Sequence, residues 1–532
     1  MAIVSGETDS RKVINCPYDI KADTVGIMVD ISRPVLLMMT FRRVLLICTF
    51  CSPMFPKPYF GRLWRAYLSG LFTATLVFIV LRFLPQTDIK ESETSTRDEE
   101  LVDHHAENLQ LPNPNEMTNF ELQNERSHHP KAEFDQTYHL SLSEQIVNQQ
   151  NAELEVVQRA NHVRHFCQGK PGHLKGLPRR NENFEDIIID KERKFMFCPI
   201  FKVSSTFFTR LFYSLRLFGE VKNPYRIPIG QALQAKTHNL NELLPLKGSR
   251  AQKFLSNATS FLIVREPLSR LLSGYMDKLF APNPYFWNKI GNYIVSRYRP
   301  QATPIEKICG YNSTFNNFVH YVVDVNTSPR GRQYRDAHFI PANEHCKICR
   351  LNYTLVGKIE TLSTDLYNIL RRLHIGVTKD QLADWEKDVV KDAIIDSVES
   401  PFLWRHRVSK CMPWSSALKR VWRKLQSRAI IPLEEKFPFS ESRSNFIKAK
   451  EFIATAYRTY LRADKTRLKR QKRQVLAMAY KTVQPITMAK LLKNLEFDFK
   501  LFQYSSQPDF LFDKNFVKET DKLPNIFDMT GL

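Results

Sequence analysis

Glycine is missing from the one turn of this sequence that looks suited to a phosphate or sulfate. The chain has 17 glycines in 532 residues, and none lies in the stretch 194–218, KFMFCPIFKVSSTFFTRLFYSLRLF. That stretch therefore lacks the G-x-x-x-x-G-K-[ST] loop that wraps nucleotide phosphates. This absence argues against an ordinary ATPase or GTPase.

Acidic residues are too few to balance the basic ones. The chain has 55 Asp and Glu residues against 77 Lys and Arg residues, which leaves a formal net charge of +22. Such an excess indicates an anionic partner, and nucleic acid, anionic lipid and acidic polysaccharide all satisfy the charge. The location of the chain in the cell has to decide among them.

Long apolar runs are also scarce, and the nearly uninterrupted one is residues 66–84, AYLSGLFTATLVFIVLRFL. Its length suits a bilayer span. Basic residues precede it and acidic residues follow it, so the positive-inside rule predicts a cytosolic tail at 1–65 and a luminal remainder. Its position favours a signal anchor over a cleaved signal peptide. An earlier run at 34–51 is broken by Arg42 and Arg43; we interpret it as a membrane-surface segment, with a second span as the alternative.

Residues 85–160 contain few aromatic side chains and are rich in Glu, Asn and Gln, so they predict a luminal stem without a core. Apolar residues between Leu142 and Val163 predict a helix at the entrance of the domain and a candidate homodimer contact. Paired histidines in the stem are interpreted as solvated, because disordered ligands rarely make a closed metal site. No metal is expected.

The stretch 194–218 predicts a strand, an anion-binding turn and a helix. Apolar residues at 195–198 suit a short buried strand, and apolar residues from Phe207 onward recur at helical spacing. A helix that begins there points backbone N–H groups and the positive end of its dipole at the turn. A plain Ser/Thr-capped connection is the alternative. The turn itself contains Lys202, Ser204, Ser205 and Thr206.

A second apolar strand and helix follow in residues 260–280, SFLIVREPLSRLLSGYMDKLF. Arg265 lies at the carboxyl end of this predicted strand, and Pro267 suits the first turn of the helix. Ligands bind beyond the carboxyl ends of strands in open α/β sheets, so the two turns can hold two ends of one nucleotide. Arg270 and Ser273 then lie near the same helix start. A surface ion pair is the alternative for either arginine.

The F-K-V-S-S-T turn followed by R-E-P-L-S-R-L-L-S resembles the two donor-binding motifs of Golgi carbohydrate sulfotransferases, above all those of chondroitin and dermatan. The resemblance implies an α/β fold, a P-loop-like sulfotransferase domain at 161–532 with a central parallel sheet flanked by helices, after a single N-terminal transmembrane helix. It implies sulfate transfer from 3′-phosphoadenosine 5′-phosphosulfate (PAPS) to a hydroxyl of an acidic glycan, a glycosaminoglycan of chondroitin or dermatan type. The protein would be a type II Golgi membrane protein with a luminal catalytic domain.

The resemblance also implies residue roles. The 5′-phosphosulfate would lie on the first motif with Lys202 at the bridging oxygen, and the 3′-phosphate would lie on Arg265 and Ser273. The sequence departs from the family at Phe201, where Pro usually precedes the lysine, and at Phe207, where Trp often follows the threonine. The donor-binding residues are expected to be Phe201, Lys202, Val203, Ser204, Ser205, Thr206, Phe207, Arg265, Glu266, Pro267, Leu268, Ser269, Arg270, Leu271, Leu272 and Ser273.

Residues 332–365 resemble a third family stretch, a His-aromatic-x-Pro segment before C-x-x-C and V-G-x-x-E. Sulfuryl transfer needs a base for the acceptor hydroxyl and cations for the leaving phosphate. His338 is the candidate base, since a histidine pKa of about 6.5 suits a mildly acidic lumen; packing alone is the alternative. Lys202 would stabilise the leaving group. The competing acid/base residues are Glu344, His345 and Glu360.

An even number of cysteines follows residue 161. In an oxidising lumen these cysteines predict disulfides, and a zinc site at Cys346-x-x-Cys349 with nearby histidines is the alternative. Glycosylation sequons agree with the lumen; they lie at Asn257, Asn312, Asn352 and, more weakly, Asn326. The six cysteines are Cys167, Cys198, Cys309, Cys346, Cys349 and Cys411.

Residues 401–473 form an unusually basic insertion in which the resemblance lapses before it returns at 494–505. Its cations either form a solvated face or follow a sulfated glycan by charge. Two other functions are kept: a non-catalytic Golgi polyanion-binding protein on the same fold, and a soluble nucleic-acid binder. The predicted span and the sequons argue against nucleic acid as a partner.

Overall fold

The computed structural model describes residues 142–169, 183–234, 237–243 and 249–530. The chain divides into two units, 1–109 and 110–532, and everything described below belongs to the second. The predicted tail with its 34–51 segment, the predicted span at 66–84 and the stem with its paired histidines up to residue 141 lie outside the described residues. Within the described ranges, no helix is both long enough and apolar enough to cross a bilayer.

Among the described residues, a single sheet of four strands forms the centre, in the spatial order β1-β2-β3-β4. β2, β3 and β4 run parallel, whereas β1 is antiparallel to β2. The predicted central parallel sheet is therefore corrected to a mixed sheet, because the short link at 191–194 allows only a hairpin and parallel neighbours need a long crossover. The strands are β1 (Ile188–Asp190), β2 (Phe195–Cys198), β3 (Thr259–Val264) and β4 (Leu355–Lys358).

Helices surround this sheet. The longer α-helices are α1 (Leu142–Cys167), α2 (Ser205–Phe218), α3 (Ser249–Asn257), α4 (Pro267–Tyr275), α5 (Phe315–Thr327), α6 (Leu362–Arg372), α7 (Lys379–Leu403), α8 (Trp414–Ser427), α9 (Ala449–Arg462), α10 (Lys465–Lys481) and α11 (Pro485–Leu501). Short α-helical segments lie at Ile229–Gln234, Pro284–Phe286, Asn292–Tyr298, Pro304–Cys309, Ala342–His345, Arg405–Val408, Glu441–Ser444, Asp509–Phe512 and Lys514–Glu519. Two π-helices lie at Met276–Phe280 and Trp287–Gly291, and 3₁₀ turns at Pro224–Arg226, Leu240–Leu243, Arg332–Tyr334, Ile359–Thr361 and Thr520–Lys522.

The two predicted strand-turn-helix units are confirmed. All four residues of β2 are buried, and the aromatic rings of β2, α2 and β3 pack on one another. The ring of Phe197 lies 4.8 Å from that of Phe208 and 4.6 Å from that of Phe261. Pro267 occupies the first turn of α4, as expected. The two turns therefore open at the same edge of the sheet, where β2 and β3 end.

The predicted entrance helix is confirmed as α1, which runs through the expected domain boundary at 160/161. Val156, Ala160 and Val163 are buried in the same core as the sheet. Arg159 Nη1 also donates to Asp365 Oδ2 at 2.6 Å. Because this apolar face packs within the chain, the structure lends no support to the predicted homodimer contact.

The predicted disulfides are confirmed. The two cysteines of C-x-x-C pair with different elements: Cys346 with Cys198 of β2, and Cys349 with Cys167 of α1. His345 lies near Cys198 and Cys346 at metal-ligand spacing, but these two sulfurs are bonded to each other. Cys346 and Cys349 are both in disulfides, so neither can supply the thiolate ligand that the zinc alternative requires.

The basic insertion 401–473 is a packed helical layer. α7, α8 and α9 share a core of their own around Val398, Trp422 and Phe452. A disulfide between Cys309 and Cys411 ties this layer to the rest of the domain. The insertion is thus held firmly enough to place side chains at a site.

Candidate active site

The turn between β2 and α2 has a special backbone shape without glycine. Lys202 and Ser204 adopt the left-handed conformation, with φ of 67° and 57°, which non-glycine residues rarely do and which is concentrated at functional sites. Ser204 is the N-cap of α2, but its side chain makes no capping hydrogen bond. The first N–H groups of α2 are therefore presented at the turn, as an anion site requires.

Three lysines converge on one carboxylate beside this turn. Lys202 Nζ lies 2.7 Å from Asp277 Oδ2, Lys424 Nζ lies 2.6 Å from Asp277 Oδ1, and Lys278 Nζ lies 3.1 Å from Asp277 Oδ2. Asp277 and Lys278 belong to the π-helix 276–280, an element often found at functional sites. Three positive charges against one negative charge leave two positive charges without a protein counter-ion in this cluster.

Burial and charge act together on these groups. Burial lowers the pKa of Lys202 to about 8, with Asp277 opposing this shift and the charges of Lys278 and Lys424 adding to it. Burial by itself would raise the pKa of Asp277, but the three lysines outweigh it and hold that pKa well below its usual range. Asp277 is thus ionised, and Lys202 keeps its proton at neutral pH.

Arg265 connects the second motif to the first. Its Nη1 donates to the carbonyl oxygen of Lys202 at 3.3 Å, which confirms that the carboxyl ends of β2 and β3 share one site. Burial lowers the pKa of Arg265, and the charges of Glu360 and Glu266 oppose this shift. Arg428 is close enough to act electrostatically on Arg265. The site therefore has a second group of cations beside the lysine cluster.

Other residues of the second motif have structural partners. Arg270 is 2% exposed and donates to the backbone carbonyls of His338, at 3.3 Å, and Ile340. Glu266 caps α4 by accepting from the N–H groups of Leu268 and Ser269. Arg270 thus positions the loop of the candidate base, and its predicted contact with the donor stays a prediction. The same holds for Ser273, which is half-buried on α4, and for the buried Pro267, Leu268, Leu271 and Leu272.

His338 lies beside the β2 turn, and the carboxylate of Asp336 contacts its ring. Its ring is 4.3 Å from that of Phe201, so the residue that replaces the family proline packs against the candidate base. His338 Nδ1 lies 2.6 Å from Asp336 Oδ1, and Asp336 Oδ2 lies 2.9 Å from Lys289 Nζ. Despite burial, hydrogen bonds from His338 and Lys289 hold the pKa of Asp336 far below normal. An ionised carboxylate only accepts hydrogen bonds, so Nδ1 carries the proton and Nε2 is left to accept one.

The competing acid/base residues have other partners. Glu344 pairs with Arg335 at 2.5 Å. His345 Nε2 lies 3.2 Å from the carbonyl oxygen of Pro199, so it donates there. Glu360 accepts from the N–H of Glu266 and from the hydroxyl of Tyr504. This geometry favours His338 over all three as the base.

Residues 185–431 match the model described as the sulfotransferase family. This segment, which is less than half of the chain, is similar to that family. The β2 turn, α4, the π-helix 276–280, His338 and α8 all lie within the sulfotransferase segment, whereas α10 and α11 follow it. The predicted resemblance to sulfotransferases is therefore confirmed.

Curated relatives of the chain are carbohydrate sulfotransferases. Carbohydrate sulfotransferase 9 of Homo sapiens is 28% identical over 222 residues, which cover 42% of this chain and 48% of the relative. Carbohydrate sulfotransferase 11 of Rattus norvegicus is 31% identical over 192 residues, with 36% and 53% covered. Carbohydrate sulfotransferase 14 of Danio rerio is 28% identical over 220 residues, with 41% and 56% covered. The chain spans about half the length of these relatives. No solved structure matches the chain significantly.

Several residues of the candidate site were not predicted from the sequence. Asp277 and Lys278 lie in the run 260–280, after the predicted helix. Their adjacent opposite charges were the sequence signal that could have identified them as candidate site residues. Asp336 stands two residues before His338, at the spacing of a short Asp-x-His turn. Lys424 had no local signal, because only the packing of α8 brings it to the site.

Proposed function

We propose that this protein transfers sulfate from PAPS to a hydroxyl of a glycan, with a chondroitin- or dermatan-type glycosaminoglycan as the acceptor. The observation that carries the proposal is the lysine cluster around Asp277 at the left-handed β2 turn, next to the His338–Asp336 pair. The family match and the named relatives support the reaction class. The acceptor type follows from the sequence resemblance.

The residues present fit the proposed donor. A phosphosulfate carries two negative charges, which equals the positive excess of Lys202, Lys278 and Lys424 over Asp277. Arg265, with Arg428 nearby, offers cations for a second phosphate. PAPS would supply an activated sulfuryl group on a phosphate leaving group. Because lysines provide the charge neutralisation, the proposal includes no metal.

The geometry of the chain's own groups supports a role for each of them. His338 Nε2 accepts the proton of the acceptor hydroxyl, while Asp336 keeps Nδ1 protonated and the ring oriented. Lys202 donates to the phosphate oxygen on which negative charge develops as its bond to sulfur breaks. Arg270 holds the loop of His338 in place through two backbone carbonyls.

We also propose a Golgi location, with a single span at 66–84 and the sulfotransferase domain in the lumen. The three disulfides support an oxidising compartment. The charge asymmetry around the apolar run supports the orientation.

The deciding experiment measures sulfate transfer from labelled PAPS by the full chain in detergent. Desulfated chondroitin, dermatan and heparan are the acceptors, and the variants are Lys202→Ala and His338→Ala. Lys450→Met removes an exposed lysine of the insertion that contacts none of these groups, so it serves as the charge-matched control. We expect label in chondroitin or dermatan, a loss of at least about 100-fold in both site variants, and no loss in the control.

Two outcomes would contradict the proposal. Label in heparan alone would refute the acceptor type and keep the reaction. Folded chain that binds chondroitin but transfers no label would leave the non-catalytic polyanion-binding protein. The intact left-handed turn argues against that alternative, because the replacement of the family proline by Phe201 has not removed the anion-site geometry.

A further inference from the structure

The basic insertion carries one lysine into the interior of the candidate site. Lys424 on α8 is 5% exposed, and its Nζ lies 2.6 Å from Asp277 Oδ1. The other oxygen of the same carboxylate, Oδ2, accepts a hydrogen bond from Lys202 Nζ at 2.7 Å. One carboxylate therefore holds the ammonium groups of Lys202 and Lys424 side by side.

Two neighbouring arginines of α8 donate to backbone carbonyls outside the helix. Arg420 donates to the carbonyl oxygen of Tyr311 at 2.9 Å, and Arg423 donates to the carbonyl oxygens of Ile526, at 3.4 Å, and Asp528. Both arginines thus fasten the insertion to the domain. Lys424 differs from them, because its partner is a carboxylate that Lys202 already neutralises.

A structural ion pair alone does not explain Lys424. A buried lysine is costly unless it is paired, and a pair that served only to attach α8 would need one lysine for Asp277. Asp277 instead faces Lys202, Lys278 and Lys424. Lys424 therefore adds repulsion at the site, which an anion of the right charge would relieve.

We propose that Lys424 is a second lysine for the donor, which together with Lys202 binds the phosphate group that carries the sulfuryl group. This inference rests on the proposed function, and it gives α8, which lies within the matched residues 185–431, a part in completing the donor site. Asp277 would hold both ammonium groups in place until a phosphate offers them further oxygens. Lys202 would take the bridging oxygen and Lys424 a non-bridging oxygen of the same phosphate.

The test is the binding of 3′-phosphoadenosine 5′-phosphate to the full chain, measured by titration calorimetry. A hydrogen bond between charged groups contributes about 1.5–3 kcal/mol, so Lys424→Met should weaken binding by about 10- to 150-fold. Lys424→Arg should recover part of the affinity, because it restores the charge. Lys450→Met should bind like the unaltered chain.

The pH dependence of this binding tests whether Lys424 and Lys202 act on one another electrostatically. Groups that face Lys202 are Asp277, Lys278, Lys424 and His338, with Arg265 on its carbonyl oxygen. Binding to the unaltered chain should weaken as pH rises through about 8, where Lys202 loses its proton. Lys424→Met removes a positive neighbour, so the pKa of Lys202 should rise and this loss should begin at higher pH.

The outcomes separate this inference from the proposed function. Failure of the unaltered chain to bind 3′-phosphoadenosine 5′-phosphate would overturn the proposed function itself. Normal binding by folded Lys424→Met would overturn only the role of Lys424, whether or not the alkaline limb moves. If Lys424→Met does not fold, the same binding measurement is made on Lys424→Gln. Its amide can still donate to Asp277, whereas the positive charge is gone.

Discussion

At the scale of single residues, opposed effects set the protonation state of the candidate base. Burial lowers the pKa of His338 below its ordinary value, and the positive charges of Lys278 and Lys202 lower it further. The hydrogen bond and charge of Asp336 oppose this shift without cancelling it. The lowered pKa increases the fraction of His338 that is neutral, and able to accept a proton, at any given pH.

Asp336→Asn tests this balance. Transfer by the unaltered chain should fall as pH drops through the lowered pKa of His338, below about 6.5. Asparagine removes the charge that raises this pKa, so the acid limb of the donor-saturated rate should move to still lower pH. The rate at pH 7 should also fall by about 10- to 100-fold, because the ring loses its orienting carboxylate.

The measurement is a pH–rate profile of both proteins from pH 4.5 to 7.5. A limb that moves to higher pH, or an unchanged rate at pH 7, would contradict the role of Asp336. Melting temperatures measured across the same range serve as the control for acid unfolding.

At the scale of elements, α4 and the loop of His338 are packed too closely for a side chain at Gly274. A Cβ there would lie 2.7 Å from Cε1 of Phe339 and 3.8 Å from the carbonyl oxygen of His338. Phe339 is itself fully buried, so it has little room to move. The position of the base therefore depends on how α4 packs, as well as on its own sequence.

Gly274→Ala should move this loop. Overpacking of a buried contact costs about 1–3 kcal/mol, so we expect a lower melting temperature and a lower transfer rate together. Gly230→Ala is the matched control, because a Cβ at Gly230 meets no atom within 4 Å. A transfer rate equal to that of the control would show that the loop tolerates the methyl group.

At the scale of the whole molecule, the proposed luminal location makes a prediction about glycans. Asn257 and Asn352 are exposed and should be modified. Asn312 Nδ2 donates to Glu306 Oε1 at 2.5 Å, and Asn326 Nδ2 contacts Asn494 while its oxygen accepts from Arg335. The side-chain amides of Asn312 and Asn326 are engaged in these hydrogen bonds, so both residues should remain unmodified.

Expression of the full chain in cells with a secretory pathway tests the prediction. Enzymatic removal of N-glycans should shift the mass by two glycans, and Asn257→Gln and Asn352→Gln should each remove one. An unshifted mass would contradict the luminal orientation. A shift lost with Asn312→Gln would contradict the role given to the Asn312–Glu306 bond.

Local patterns were sufficient for the elements that hold the donor turn. Apolar runs at β2 and β3, helical spacing in α2 and Pro267 at the start of α4 each report on neighbouring residues, and all were confirmed. The antiparallel β1 was missed because a strand of three residues has too little alternation to be recognised. The turn that contains the departures at Phe201 and Phe207 has Lys202 and Ser204 in the left-handed conformation, which no local sequence pattern indicates.

The sequence by itself predicted the resemblance to sulfotransferases, two candidate donor motifs, a candidate base and the use of cysteines in disulfides, because each prediction depends on residues that are close along the chain or on composition. Tertiary structure alone decided which cysteines pair, that Arg270 holds a loop, and that Lys424 reaches Asp277 across 147 positions of sequence. The physical reason is that a charge cluster forms between elements. The ion pairs of the cluster depend on burial and on distances in space. Neither quantity can be read from the residue spacing within any one segment.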